Sequence, residues 1–250
     1  MVAIADASAR SRFAWLDLAR GYALVAMAVY HFVWDLSLFG LVSPDTPFEP
    51  HWKLLARATA ASFLGLAGVG LAIAHGRGIR WPAFGRRLAT ILLAAGAITL
   101  ATRVAMPDAY IFFGILHMIA LGSAVGLLLV PLHWSIAFAA AAIAGYVGLS
   151  VEAPFFNEPW LWWTGLGTER RVSNDFVPFF PAFAAVAIGV GTAKLLRLDE
   201  RRSGGVPLRA NGLHRPLAWA GRHSLLVYLV HQPVLIGLLY AVLSVRRLLV

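Results

Sequence analysis

Apolar runs of 18 residues or more recur from one end of this chain to the other, and that pattern leaves few folds open. Each run is long enough to cross about 30 Å of hydrocarbon as a helix, at about 1.5 Å per residue. No strand-like alternation interrupts them, and a helix satisfies its own backbone groups inside lipid. Only 13% of the residues are charged and 60% are hydrophobic, too little charge to clothe a soluble domain. The expectation is an all-α, polytopic transmembrane bundle of about seven helices, built as a single domain over residues 1–250. The spans fall at roughly 16–38, 54–75, 88–105, 110–130, 133–150, 176–196 and 223–243. The first has a basic start but runs past signal-peptide length, carries His31 and Asp35 and lacks a small-x-small exit, so it reads as a retained helix.

Charges orient the bundle. The formal charge is +9, yet the arginines gather at the ends of apolar runs, which points to topology signals and away from nucleic acid. Arg10, Arg12 and Arg20, then Arg77, Arg80, Arg86 and Arg87, then Lys194, Arg197, Arg201, Arg202, Arg209, Arg215 and Arg222 fall on one side. That side is the cytoplasm by the positive-inside rule, which puts the N-terminus there. Asp45, Glu49, Asp108, Glu152, Glu158, Glu169 and Asp175 fall opposite. Arg246 and Arg247 fall on the outer side in this scheme; either they snorkel at the interface or the last span is misdrawn. The Trp- and Pro-rich stretch 151–175 reads as a lid at headgroup level or as an ordinary interfacial belt. The stretch 197–222, with Gly204, Gly205 and Pro207, reads as a flexible basic loop for an anionic cofactor or anionic lipid headgroups. No internal repeat suggests a two-fold transporter.

Ionisable side chains inside spans are costly and mark candidate sites. His31 and Asp35 are four apart and share a helical face. A carboxylate accepting the imidazole N–H fixes its tautomer and raises its basicity, as a general base needs; a structural pair between helices fits the same spacing. Counting along the helices puts His31 about 22 Å from the inner face and His117 about 20 Å from it, which favours one shared pocket. His117 alone also fits a satisfied interhelical histidine, beside Gly114. His231 and Gln232 precede Pro233, whose missing N–H frees a carbonyl near Leu229 to face a cavity, and His231 falls about 14 Å deep. Asp175 stands either at an outer mouth or as the cap of its own helix. Arg20 suits a phosphate through its planar fork, and suits equally a topology anchor paired with Asp17. No His-Glu-x-x-His or similar spacing is present, and with no cysteine there are no disulfides or thiolate ligands, so no metal is expected.

The stretch Leu16-Asp17-Leu18-Ala19-Arg20-Gly21, then Met27 and Tyr30-His31-Phe32-x-x-Asp35-Leu36, resembles the opening of bacterial relatives of the heparan-α-glucosaminide N-acetyltransferase catalytic domain. Phe113-Gly114-Ile115-Leu116-His117-Met118, Asp175-x-x-Pro178-x-x-Pro181 and Gly221-Arg222-His223-Ser224-Leu225, running on to Tyr228-Leu229-x-His231-Gln232-Pro233, extend the resemblance in order.

The resemblance implies a membrane acyltransferase of the bacterial cytoplasmic (inner) membrane. Acetyl-CoA or another acyl-CoA would give up its acyl group on the cytoplasmic side to a glycan or other acceptor on the outer side. His31 is the candidate active histidine, supported by Asp35, either deprotonating the acceptor or carrying the acyl group transiently, with His117 as a second acid–base group or oxyanion donor. Arg20 and Arg222 would meet the donor's phosphates, and Asp175, His231 and Gln232 the acceptor. Membrane lipid is the expected surrounding, with no nucleic acid partner and an oligomer left open. Two rivals stand beside it: a small proton-coupled transporter, because buried His–Asp pairs also relay protons, and an accessory subunit without chemistry of its own.

Overall fold

The structure is a computed structural model that describes residues 14–169, 171–200 and 212–249. Arg10, Arg12, Arg201, Arg202, Arg209 and the Gly204–Pro207 part of the basic stretch lie outside the described residues. Among the described residues the chain is all helix and turn, with no strand. The α-helices are α1 (Ala14–Leu38), α2 (Pro50–His75), α3 (Trp81–Ala105), α4 (Ile115–Leu127), α5 (Trp134–Ser150), α6 (Phe179–Leu195), α7 (His214–Arg222) and α8 (Ser224–Leu249). Short 3-10 turns at Thr46–Phe48, Pro107–Ala109, Pro154–Asn157 and Pro159–Thr164 join them.

By length and composition α1, α2, α3 and the Ser224–Arg246 part of α8 can each cross a membrane, whereas α4, α5 and α6 are apolar but shorter. Leu93 at 75% and Val104 at 87% exposure leave α3 with bare apolar side chains that lipid would accept and water would penalise. The helices depart from the expected spans at identifiable residues. α3 starts at Trp81 because Pro82 is tolerated in a first turn. α4 starts only at Ile115, because Gly114 is extended (φ −92°, ψ −171°) and Pro107–Ala109 forms its own turn. With 13 residues, α4 is about 20 Å long. α8 continues through Arg246 to Leu249. Part of the stretch expected to be a flexible loop is helix α7, with Pro216 in its first turn, where a missing N–H costs little.

The chain divides into two compact units, Met1–Thr59 with Ser203–Val250, and Ala60–Arg202. In the first, α1 packs against α7 and α8. The α1–α7 crossing is backbone on backbone: a Cβ on Gly21 would lie 2.2 Å from the Leu217 carbonyl oxygen, and one on Gly221 would lie 1.7 Å from that of Asp17. Where lipid supplies no hydrophobic drive, such glycine contacts let helices gain dispersion energy by close approach. In the second unit α6 packs on α5 and α4, and Val186, 1% exposed, sits where Gly68, Gly122 and Gly126 leave room for it.

Candidate functional site

At one end of the α1–α7 pair, Asp17 collects two arginines. Arg20 Nη1 lies 3.6 Å from Asp17 Oδ1, and Arg222 Nε lies 3.8 Å from Asp17 Oδ2. The first contact is the i,i+3 pair legible in sequence; the second depends on the glycine crossing, which brings the end of α7 onto the first turn of α1. Two guanidinium groups share one carboxylate, so the cluster keeps a net positive charge. The Arg222 side chain is 55% exposed, which leaves donors of its fork for an anion.

Further along α1, two cross-links to α8 form successive rungs. The rings of His31 and His231 meet edge to face with centroids 4.9 Å apart. One turn on, Gln232 Nε2 donates to Asp35 Oδ1, and Asp35 is fully buried. The expected His31–Asp35 hydrogen bond is not made. The short Asp35 stem meets the Gln232 amide on the facing helix, and among the described residues His31 makes no hydrogen bond. Asp35 Oδ2, Gln232 Oε1 and His231 Nε2 are all buried without a hydrogen-bond partner among the described residues. Each such atom costs about 1–3 kcal/mol, and their gathering on two adjacent rungs singles this place out.

His231 Nδ1 lies 2.6 Å from the Tyr228 carbonyl oxygen, one residue before the carbonyl expected to be freed by Pro233. A carbonyl only accepts, so Nδ1 carries a proton, and in the neutral ring Nε2 holds the lone pair.

His117 and Asp175 belong to the second unit, where both work at the start of α4. His117 Nδ1 accepts from Gly114 N–H at 3.1 Å, and its Nε2 lies 3.3 Å from Thr99 Oγ1. The Thr99 hydroxyl donates to Ile111 O at 2.7 Å, so it accepts from Nε2–H and fixes that tautomer. Asp175 Oδ2 accepts from Ile115 N–H at 3.1 Å. It therefore caps a helix, but α4 and not its own α6, whose N-cap is Pro178. Gly114 makes room, since a Cβ there would lie 2.6 Å from that carboxylate oxygen. Asp175→Ala should lower stability by about 1 kcal/mol through the lost cap, while Asp175→Asn keeps most of it. Thermal melts of the two variants check this, and equal loss in both would contradict capping.

The Trp- and Pro-rich stretch is folded onto its own unit: Trp162 packs on Phe112 and Trp163 on Phe113, while Trp160 is 65% exposed. Arg171 stacks over Trp162 at 4.3 Å. Sequence reasoning missed Thr99 as a partner of His117, Asp17 as the hub for Arg222, and the Tyr228 carbonyl. Only Asp17 left a signal, its spacing to Arg20.

Long apolar helices with ionisable side chains buried between two of them define a multi-pass membrane protein. The family described as the heparan-alpha-glucosaminide N-acetyltransferase catalytic domain matches residues 12–233, and the chain belongs to that family. Comparison with curated proteins and with solved structures found no match for the chain.

Proposed function

We propose that this protein is a membrane-embedded acyltransferase that moves an acyl group, acetyl by family, from cytoplasmic acyl-CoA to an acceptor on the outer side, a glycan by the same kinship. The observation that carries the reading is the pair of rungs between α1 and α8, with buried unpartnered polar atoms beside His31, in a chain of an acetyltransferase-type family. The apolar helices α1–α6 and α8 supply about seven crossings of a bacterial inner membrane, with the N-terminus on the cytoplasmic side by its basic flank.

The donor's phosphates are assigned to Arg20 and Arg222. His31 stands eleven residues beyond Arg20 on the same helix, about 16 Å along its axis. An extended pantetheine arm suits that separation, with the phosphates at the arginines and the thioester at the histidine. His31 acts directly on the reacting groups, and the Asp35–Gln232 bond holds the helix pair in place next to it. In the second unit, His117 and Asp175 order the start of α4.

Calorimetry with acetyl-CoA on the detergent-purified protein tests the donor side. Wild type should bind, and Arg222→Ala and Arg20→Ala should each bind about tenfold to a hundredfold more weakly, the loss of one charge-assisted contact. A folded wild type that binds neither acetyl-CoA nor a longer acyl-CoA would overturn the reading in favour of a carrier.

A further inference from the structure

We infer that the acceptor is seated on the two rungs, with its reacting N–H or O–H on His231 Nε2, and that His231, not His31, is the base that takes its proton. This rests on the acyltransferase reading above and assigns roles within that site.

Two independent features of the first unit point the same way. The first is orientation. The Tyr228 carbonyl holds the His231 Nδ1 proton, so the backbone of α8 sets the tautomer and aims a lone pair from Nε2. His31 has no such anchor. A base needs a lone pair held at a defined atom, and of the two rings only His231 has one.

The second is the character of the unpartnered atoms. Asp35 Oδ2 and Gln232 Oε1 are oxygens that accept, and His231 Nε2 accepts in its anchored tautomer. The orientation of Gln232 follows from its neighbour, because a carboxylate accepts and the amide must present Nε2 to it. The three unpartnered atoms of the rungs are thus all acceptors, and the donors beside them are the second Gln232 N–H and an N–H of the His31 ring. A group that satisfies them brings several N–H or O–H bonds of its own, as an amine or a polyhydroxylated acceptor does. A thioester carbonyl, which only accepts, finds no partner among these atoms. It is left to His31, whose ring lies beside His231.

The step then balances without a further reactant. The acceptor heteroatom attacks the thioester carbonyl carbon, a carbon–heteroatom bond forms, and the heteroatom's proton passes to His231 Nε2. An N–H of His31 donates to the carbonyl oxygen as charge develops there. The carbon–sulfur bond breaks, and the CoA thiolate takes the proton back from His231 Nε2. Acylated acceptor and free CoA leave, with both histidines as they began.

The titratable groups against the His231 ring are His31 from α1 and Tyr228 from its own helix, and Asp35 from α1 is bonded to the neighbouring Gln232. The test is steady-state CoA release from acetyl-CoA with water or glucosamine as acceptor. His231→Asn keeps an amide N–H for the Tyr228 carbonyl but has no basic nitrogen. It should lose about a hundredfold or more in kcat, with KM for acetyl-CoA within about threefold, and free imidazole should restore part of the rate to His231→Ala. A His231→Asn enzyme close to wild type, one changed only in KM, or a His231→Ala enzyme that imidazole leaves unrestored would overturn the base assignment while acyl transfer stood. A wild type that releases no CoA and binds no acyl-CoA would instead overturn the acyltransferase reading itself.

Discussion

His31→Ala should abolish acyl transfer and leave a folded membrane protein. The ring makes no hydrogen bond among the described residues, so its removal orphans no buried partner. What is lost structurally is the edge contact with His231 and the contact with Tyr30 at 5.7 Å. Such ring contacts are worth about 0.5–1.5 kcal/mol each, a cost a folded domain tolerates. The chemical loss is of another order. A donor aimed at a developing oxyanion contributes about 100-fold to 1000-fold, and an acid–base group about 100-fold to 10,000-fold. Measured CoA release should fall at least about a hundredfold, with the elution profile unchanged and the melting temperature within a few degrees of wild type. Wild-type turnover by this variant would remove His31 from the site. Because His231 is anchored on the Tyr228 carbonyl of its own helix, its orientation should survive, and His31→Ala and His231→Asn should each be inactive independently.

The second large effect is expected at Gly221. A Cβ placed 1.7 Å from the Asp17 carbonyl oxygen meets backbone, which has no rotamer to change, so one helix must move. Overpacking of this kind costs about 1–3 kcal/mol and at times more, whereas the gain in helix propensity from Gly to Ala is only about 1 kcal/mol. The clash therefore wins. Gly221→Ala should lower the melting temperature and lift α7 from α1, drawing Arg222 away from Asp17 and weakening acetyl-CoA binding about as much as Arg222→Ala does. Gly21→Ala, whose Cβ would lie 2.2 Å from the Leu217 carbonyl oxygen, should behave alike. Gly237 on α8 is the control: nothing lies within 4 Å of its added Cβ, so Gly237→Ala should be neutral or slightly stabilising. If Gly221→Ala and Gly237→Ala melt alike and bind acetyl-CoA alike, the close crossing does not hold the arginines.

The helical character of the chain was legible because apolar runs of transmembrane length are self-announcing. Their ends were less so. The residues 110–113 are as apolar as those that follow, yet Gly114 and the capping carboxylate of Asp175 start α4 at Ile115, and only the folded chain brings Asp175 there. Helix α7 was hidden in a stretch whose arginines, glycines and proline read as loop. For the site, the sequence placed His31 and Asp35 on one face, but it could not supply their partners. Counting residues gave different depths to His31 and His231, which the structure sets ring to ring. A count along a helix measures path, and helices that tilt differently reach one height by different paths. Within one helix the count does hold: the Asp17–Arg20 pairing, one of the two readings open for Arg20, is present at i,i+3.

The cap on α4 also bears on how the protein is made. Ile115 leaves the ribosome 60 residues ahead of the carboxylate that satisfies its N–H. In that interval α4 is a helix of about 20 Å with an uncapped end, a poor segment to enter a bilayer unaided. The cap of α4 is therefore completed late, when Asp175 has been made. A chain stopped during synthesis anywhere between the two carries α4 without the carboxylate that satisfies its first N–H.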